Sequence, residues 1–85
     1  MNFGPVVGID VSKRFSDMCI LSPDNQIFAQ TKIYHDSTSM KRAEALLKKA
    51  TEAFGGRPAV VMEATAHYHL ILFQFFSDCG YDVLV

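Results

Sequence analysis

The chain has 85 residues, 49% of them hydrophobic, with eight Lys plus Arg against nine Asp plus Glu and a formal net charge of −1. That length holds one domain with a modest core, the apolar share argues against a disordered chain, and the even charge supplies no general pull toward nucleic acid. The most apolar run, "LILFQFF", is far shorter than the ~20 residues that cross a bilayer, and "MNFGPVV" lacks the basic lead of a signal peptide, so a cytoplasmic protein without membrane contact is expected.

Residues 5 to 11 read as a first strand, with Val7, Ile9 and Val11 on one face and Val6, Gly8 and Asp10 on the other. Apolar residues on both faces near its start predict a central strand covered on both sides. Gly8 is expected to allow close packing beneath it. "FSDMCILS" and "QIFAQTKIY" are two further strands, and "SPDNQ" between them is a turn with Pro23 at its first inner position. A three-stranded antiparallel meander is the economical arrangement.

A helix follows "HDST", where Met40, Ala43, Leu47, Ala50 and Phe54 recur at helical spacing. Glu44 stands one turn before Lys48, the favourable order for an exposed pair, and Gly55 with Gly56 ends the helix before Pro58. "AVVME" is a short apolar fourth strand. A second helix is predicted from about Ala66 to Cys79, with Thr65 as cap and Gly80 as stop. Its Leu70, Ile71, Leu72, Phe73, Phe75 and Phe76 cover more than one stripe, so it calls for a second covering beyond the sheet. That covering would come from further chain or from another copy, and self-association into a homo-oligomer is expected. "YDVLV" is the fifth strand, and an ending on inner-strand residues predicts the front part of a longer protein. Cys19 and Cys79 are expected to be buried thiols, since no spacing suggests a metal knuckle or a disulfide framework.

Crossovers through the helices set the fourth and fifth strands parallel to the first, with right-handed connections. The predicted fold is therefore an α/β, ribonuclease H-like mixed five-stranded sheet of order 3-2-1-4-5 with helices, truncated before its last helices. In that order Asp10, near the end of the first strand, and Glu63, which closes the fourth, lie on parallel neighbours and emerge at one sheet edge, where ligands gather in open α/β sheets. Two carboxylates so placed repel one another, and a divalent cation relieves the repulsion; oxygen ligands point to Mg²⁺ or Mn²⁺. The plainer alternative leaves Asp10 in solvent at a strand end and Glu63 starting a loop or capping the next helix. No third acid is convincingly placed: Asp17 lies on the second strand, and Asp78 and Asp82 lie toward the far edge.

"GIDVSK" followed by "VVMEATAHYHLILFQFFSDCGYDVLV" resembles the N-terminal part of the DEDD-type insertion-sequence transposases, the group related to the Piv DNA invertase. Their N-terminal domain is similar to the RuvC Holliday-junction resolvase. The resemblance covers nearly the whole chain and would make residues 1–85 the N-terminal part of a RuvC-like transposase domain. It implies metal-dependent DNA cleavage and strand transfer, with Asp10 and Glu63 as the first two acids of a DEDD site that takes Mg²⁺ or Mn²⁺. It further implies a D-x-x-D-like pair later in such proteins, transposon ends and target DNA as partners and, in some members, a structured guide RNA. With only two acids the chain by itself is expected to be inactive or nearly so. One departure is visible: "EATAHY" carries Ala66 where the family usually has glycine.

Ser12 and Lys13 are candidates for a phosphate or DNA contact beside Asp10, against the plainer reading of a solvated turn. His67 and His69 are two apart on a helix and face different ways, which argues against a zinc pair, but His67 remains a candidate DNA contact. Tyr68 is expected to pack against the sheet or support Glu63. Two other function classes stand beside the transposase reading. One is a non-catalytic assembly domain. The other is an actin- or sugar-kinase-like ATPase, disfavoured because "DVSKRFSD" has no glycine for a phosphate turn.

Overall fold

The computed structural model describes residues 4–63 and 68–85. Three strands come first: β1 (Val6–Val11), β2 (Phe15–Leu21) and β3 (Ile27–Tyr34). They are followed by α1 (Ser37–Phe54), β4 (Ala59–Glu63), α2 (His69–Asp78) and the short β5 (Val83–Leu84). The strands form one sheet of order β3-β2-β1-β4-β5. Strands β1, β2 and β3 pair antiparallel, whereas β4 joins β1, and β5 joins β4, in parallel. This is the topology expected from the sequence, and it matches the RuvC and ribonuclease H-like arrangement.

Local chemistry explains the element ends. At the β2–β3 turn the Asn25 N–H donates to the Ser22 carbonyl at 2.9 Å, with Pro23 at the first inner position; Asn25 takes the left-handed conformation, φ 65°. The Asp36 side chain caps α1 by accepting from the Ser39 N–H at 2.7 Å. The buried Ser39 hydroxyl accepts in turn from the Tyr34 N–H at 2.8 Å, tying the end of β3 to the first turn of α1. Gly55, at φ 73°, closes the helix through its N–H to the Thr51 carbonyl.

Both helices lie on one side of the sheet. Val7, Ile9, Val11, Met18, Ile20 and Val60 form one core with Ala43, Leu47 and Ala50 of α1 and Leu72 and Phe76 of α2. The other side is bare among the described residues: along β1 the side chains alternate exposed and buried, with Val6, Gly8 and Asp10 outward. The expectation of a doubly covered first strand is therefore corrected. Val6 and Val61 are apolar and exposed on the same side, so composition near the strand start does not report coverage. The expected role of Gly8 is corrected too, because a Cβ at Gly8 would meet nothing within 4 Å.

Helix α2 buries Leu72 and Phe76 and leaves Leu70, Ile71 and Phe73 exposed, so the predicted excess of apolar surface is present and uncovered by the described residues. The part of the predicted helix at Ala66 and His67 lies outside the described residues, as does the Thr65 cap. Cys19 and Cys79 are both free and only half-buried rather than buried. Arg57 braces the chain at the far sheet edge, donating to the Cys79 carbonyl at 2.9 Å with its guanidinium 4.6 Å from the Tyr81 ring centre. Burial there raises the Tyr81 phenol above its usual range, the charge of Glu44 adding to it and Arg57 opposing. The Cys79 thiol is raised as well, first by burial and then by Glu44 and Asp78.

Candidate functional site

Asp10 is the last but one residue of β1, and Glu63 is the last of β4; the two are register partners on parallel neighbours. Strand spacing sets their backbones about 5 Å apart. Alternation along each strand points both outward, onto the bare face and away from the core. The flanking residues fix this: Ile9 and Val11 are buried on β1 and Met62 is buried on β4, so each acid occupies the outward position between or beside core anchors.

On the other flank of β1, Asp17 of β2 is the register partner of Asp10, and Lys32 of β3 is the partner of Asp17. One row across the sheet therefore reads Lys32, Asp17, Asp10, Glu63, all exposed. The row borders an open groove of about 550 Å³, whose floor includes Gly8, Cys19 and Val61 from the row behind. The missing side chain at Gly8 deepens the groove directly beside Asp10. The sequence sets Asp17 on the second strand but was not read as pairing it with Asp10, although one signal was available. Ser12 closes the β1–β2 turn through its N–H to the Phe15 carbonyl at 3.1 Å, and that short turn dictates the pairing of Val11 with Ser16 and hence Asp10 with Asp17.

Three acids in a row are not a ready cage. Asp17 and Glu63 stand two strand spacings apart, roughly 10 Å between backbones, too wide for short side chains to meet on one ion. Accordingly, no group of three or more His, Cys, Asp or Glu side chains among the described residues could hold a metal. The Asp10–Glu63 pair does suit an ion that keeps most of its water, as Mg²⁺ does when one or two carboxylates hold it.

The other expected site residues are placed as follows. The Ser12 hydroxyl donates to the Phe15 carbonyl, so its proton serves the turn. Lys13 is exposed in that turn, two residues after strand position 11. Tyr68 is half-buried and packs against the core just before α2. Thr65, Ala66 and His67 lie outside the described residues. Asp78 and Asp82 stand by the far edge, where the Asp82 carbonyl accepts from the Val60 N–H near the beginning of β4.

No helix among the described residues is long and apolar enough to cross a membrane. A comparison with curated proteins finds no match. Residues 7–85 match the family model of the IS110-type DEDD transposases, described as a transposase. That match runs through both acidic strands and the whole sheet whose order has just been set out. The chain belongs to the IS110-type DEDD transposase family.

Proposed function

We propose that residues 1–85 form the N-terminal part of a RuvC-like transposase domain, and that Asp10 and Glu63 are the first two acids of its DEDD site. One observation carries this reading: Asp10 and Glu63, the two acids that the resemblance of "GIDVSK" and "MEAT" singles out, are direct register partners at one sheet edge. Asp10 and Glu63 would hold Mg²⁺ or Mn²⁺, with water and substrate phosphate completing the shell. Such an ion, when bound, supplies charge stabilisation and nucleophile activation for phosphodiester cleavage and transfer.

The chain's own contribution is placement. Buried anchors on both strands hold the two carboxylates outward, and the sheet ladder fixes their separation before any ligand arrives. The exposed Lys13 would meet a DNA phosphate near Asp10, while Tyr68 would support Glu63 from the start of α2. The remaining acids of a complete site would come from a D-x-x-D-like pair in a longer parent, so the chain alone carries half a site and little or no activity. DNA, as transposon end and target, is the substrate, and some family members use a guide RNA. The exposed apolar stripe of α2 is where a homo-oligomer would form.

The test is Mn²⁺ binding by the parent chain, Asp10→Asn and Glu63→Gln, followed by the loss of the free-ion electron paramagnetic signal. Each substitution should weaken binding at least severalfold while leaving the circular dichroism spectrum unchanged. Equal Mn²⁺ binding in parent and both variants would remove the metal role from these residues.

A further inference from the structure

The outer part of the bare sheet face, on β2 and β3, has chemistry the acid pair does not use. Phe15 and Tyr34 are register partners whose ring centres lie 6.2 Å apart. Tyr34 is 48% exposed although it is aromatic and sits within a strand. Lys32 shares the outward face with Tyr34, two residues along β3. Its ammonium sits 4.2 Å from the Phe15 ring centre, whereas the ion pair formed among the described residues is Lys48 with Glu44. A lysine whose cross-strand neighbour is Asp17 thus rests on a ring face, its charge unspent on that carboxylate. Lys13 and Arg14 are exposed in the adjoining turn.

The position of this group matters as much as its content. Strands β1 and β3 run in the same direction, so Tyr34 at the end of β3 stands at the same sheet edge as Asp10. Lys32 is two strand spacings from Asp10, about 10 Å between backbones. Cations occupy the turn and the outer strand, and carboxylates occupy the inner strands. A polyanion crossing the edge would meet Lys32, Lys13 and Arg14 with its phosphates before it reached the acids.

We infer that Tyr34 and Lys32 form a docking step for single-stranded DNA, in which Tyr34 stacks on an unpaired base and Lys32, held by the Phe15 ring, takes the neighbouring phosphate. This rests on the reading of the Asp10–Glu63 edge as the site of DNA chemistry, and it names the form in which the substrate arrives there. An exposed aromatic ring can stack on a base that has left its duplex, whereas the bases of a duplex are stacked on one another and leave only their groove edges and the backbone phosphates to a protein. Tyr34 and Lys32 are positioning residues, because they hold the strand and do not touch the reacting phosphate.

The experiment is binding of a fluorescent single-stranded DNA, its duplex form and the same sequence as RNA to the full chain. EDTA is present throughout, so that metal binding at Asp10 and Glu63 plays no part. Tyr34→Ala should weaken single-strand binding about tenfold, within the range of a lost base–aromatic stack, and leave duplex binding unchanged. Tyr34→Phe should restore it, because the ring carries the contact. Lys32→Gln should weaken single-strand binding and lower its salt slope by about 0.7, the value of one single-strand phosphate. The proposal is overturned if folded Tyr34→Ala binds the single strand as the parent does, if it loses single strand and duplex equally, or if RNA is bound more tightly than DNA. Failure of Asp10→Asn to alter Mn²⁺ binding would strike the metal reading alone, since these titrations contain no metal.

Discussion

Asp10 and Asp17 face one another across the β1–β2 hairpin, two carboxylates in direct register on the same bare face. Directly opposed like charges destabilise an antiparallel pair by roughly 0.2–1 kcal/mol. Asp17→Asn should therefore raise the thermal midpoint at low salt, and the gain should shrink in 0.5 M NaCl as screening replaces it. A variant that melts no higher than the parent at low salt would show that the two side chains turn apart.

The same row predicts a graded response to Mn²⁺. Glu63 is the parallel partner of Asp10, while Asp17 lies on its other flank. If the ion sits between β1 and β4, Asp17→Asn should change Mn²⁺ affinity less than either Asp10→Asn or Glu63→Gln. Calorimetric titration of the three variants side by side checks the order.

Packing of α2 provides a control on fold against function. Phe76 is fully buried and touches both Phe75 and Tyr81 edge-on, at centre distances of 5.2 and 6.3 Å. Phe76→Ala should cost about 3–5 kcal/mol, a large part of the stability of a domain this small. Phe73, exposed on the outer face of the same helix, should tolerate alanine with a change below about 1 kcal/mol. Urea midpoints of the two variants measure the contrast.

Gly55 separates backbone strain from steric conflict. It ends α1 at φ 73°, yet a Cβ placed there meets nothing within 4 Å. Gly55→Ala should cost on the order of 1 kcal/mol through conformation alone. Gly55→Asn should cost less, because asparagine tolerates the left-handed region. Chemical denaturation of both variants gives the comparison.

Tyr81 carries a pH dependence of known sign. Its phenol is raised above its ordinary value of about 10, chiefly by burial, so the folded state holds the proton more tightly than the unfolded chain. That contribution to stability is complete below pH 10 and is lost as pH rises through the folded value. Urea midpoints measured from pH 8 to 11 should fall more steeply for the parent than for Tyr81→Phe. Parallel curves would mean that the phenol is no harder to ionise in the fold.

The strand order was legible because apolar periodicity and two helical crossovers leave few ways to arrange five strands. The placement of Asp10 and Glu63 followed from that order, since both lie at or next to the ends of strands that must be parallel neighbours. Asp17 was harder to see, because its partner depends on the length of the turn at Ser12, and a change of one residue there would have sent it to the core. The bare face could not be read from β1: Val6 and Val61 look like buried residues but point away from both helices. Lys32 and Tyr34 were hidden for a similar reason, since a mixed strand such as "QIFAQTKIY" does not announce which of its faces meets a partner. The bulge between Ile20 and Leu21 shifts the pairing at the start of β3, and no local residue signals it.

The seam between β1 and β4 makes the acid pair a two-valued property of the fold. Side chains alternate along β4, so a slip of one residue would bring Met62 outward and send Glu63 among the buried anchors. A charged group cannot settle there alone, and the methionine it displaced would be lost from the core. Damage to the sheet therefore cannot widen the gap between the carboxylates by degrees. Molecules in a weakened population should divide into those with a competent edge and those that have come apart, with nothing between.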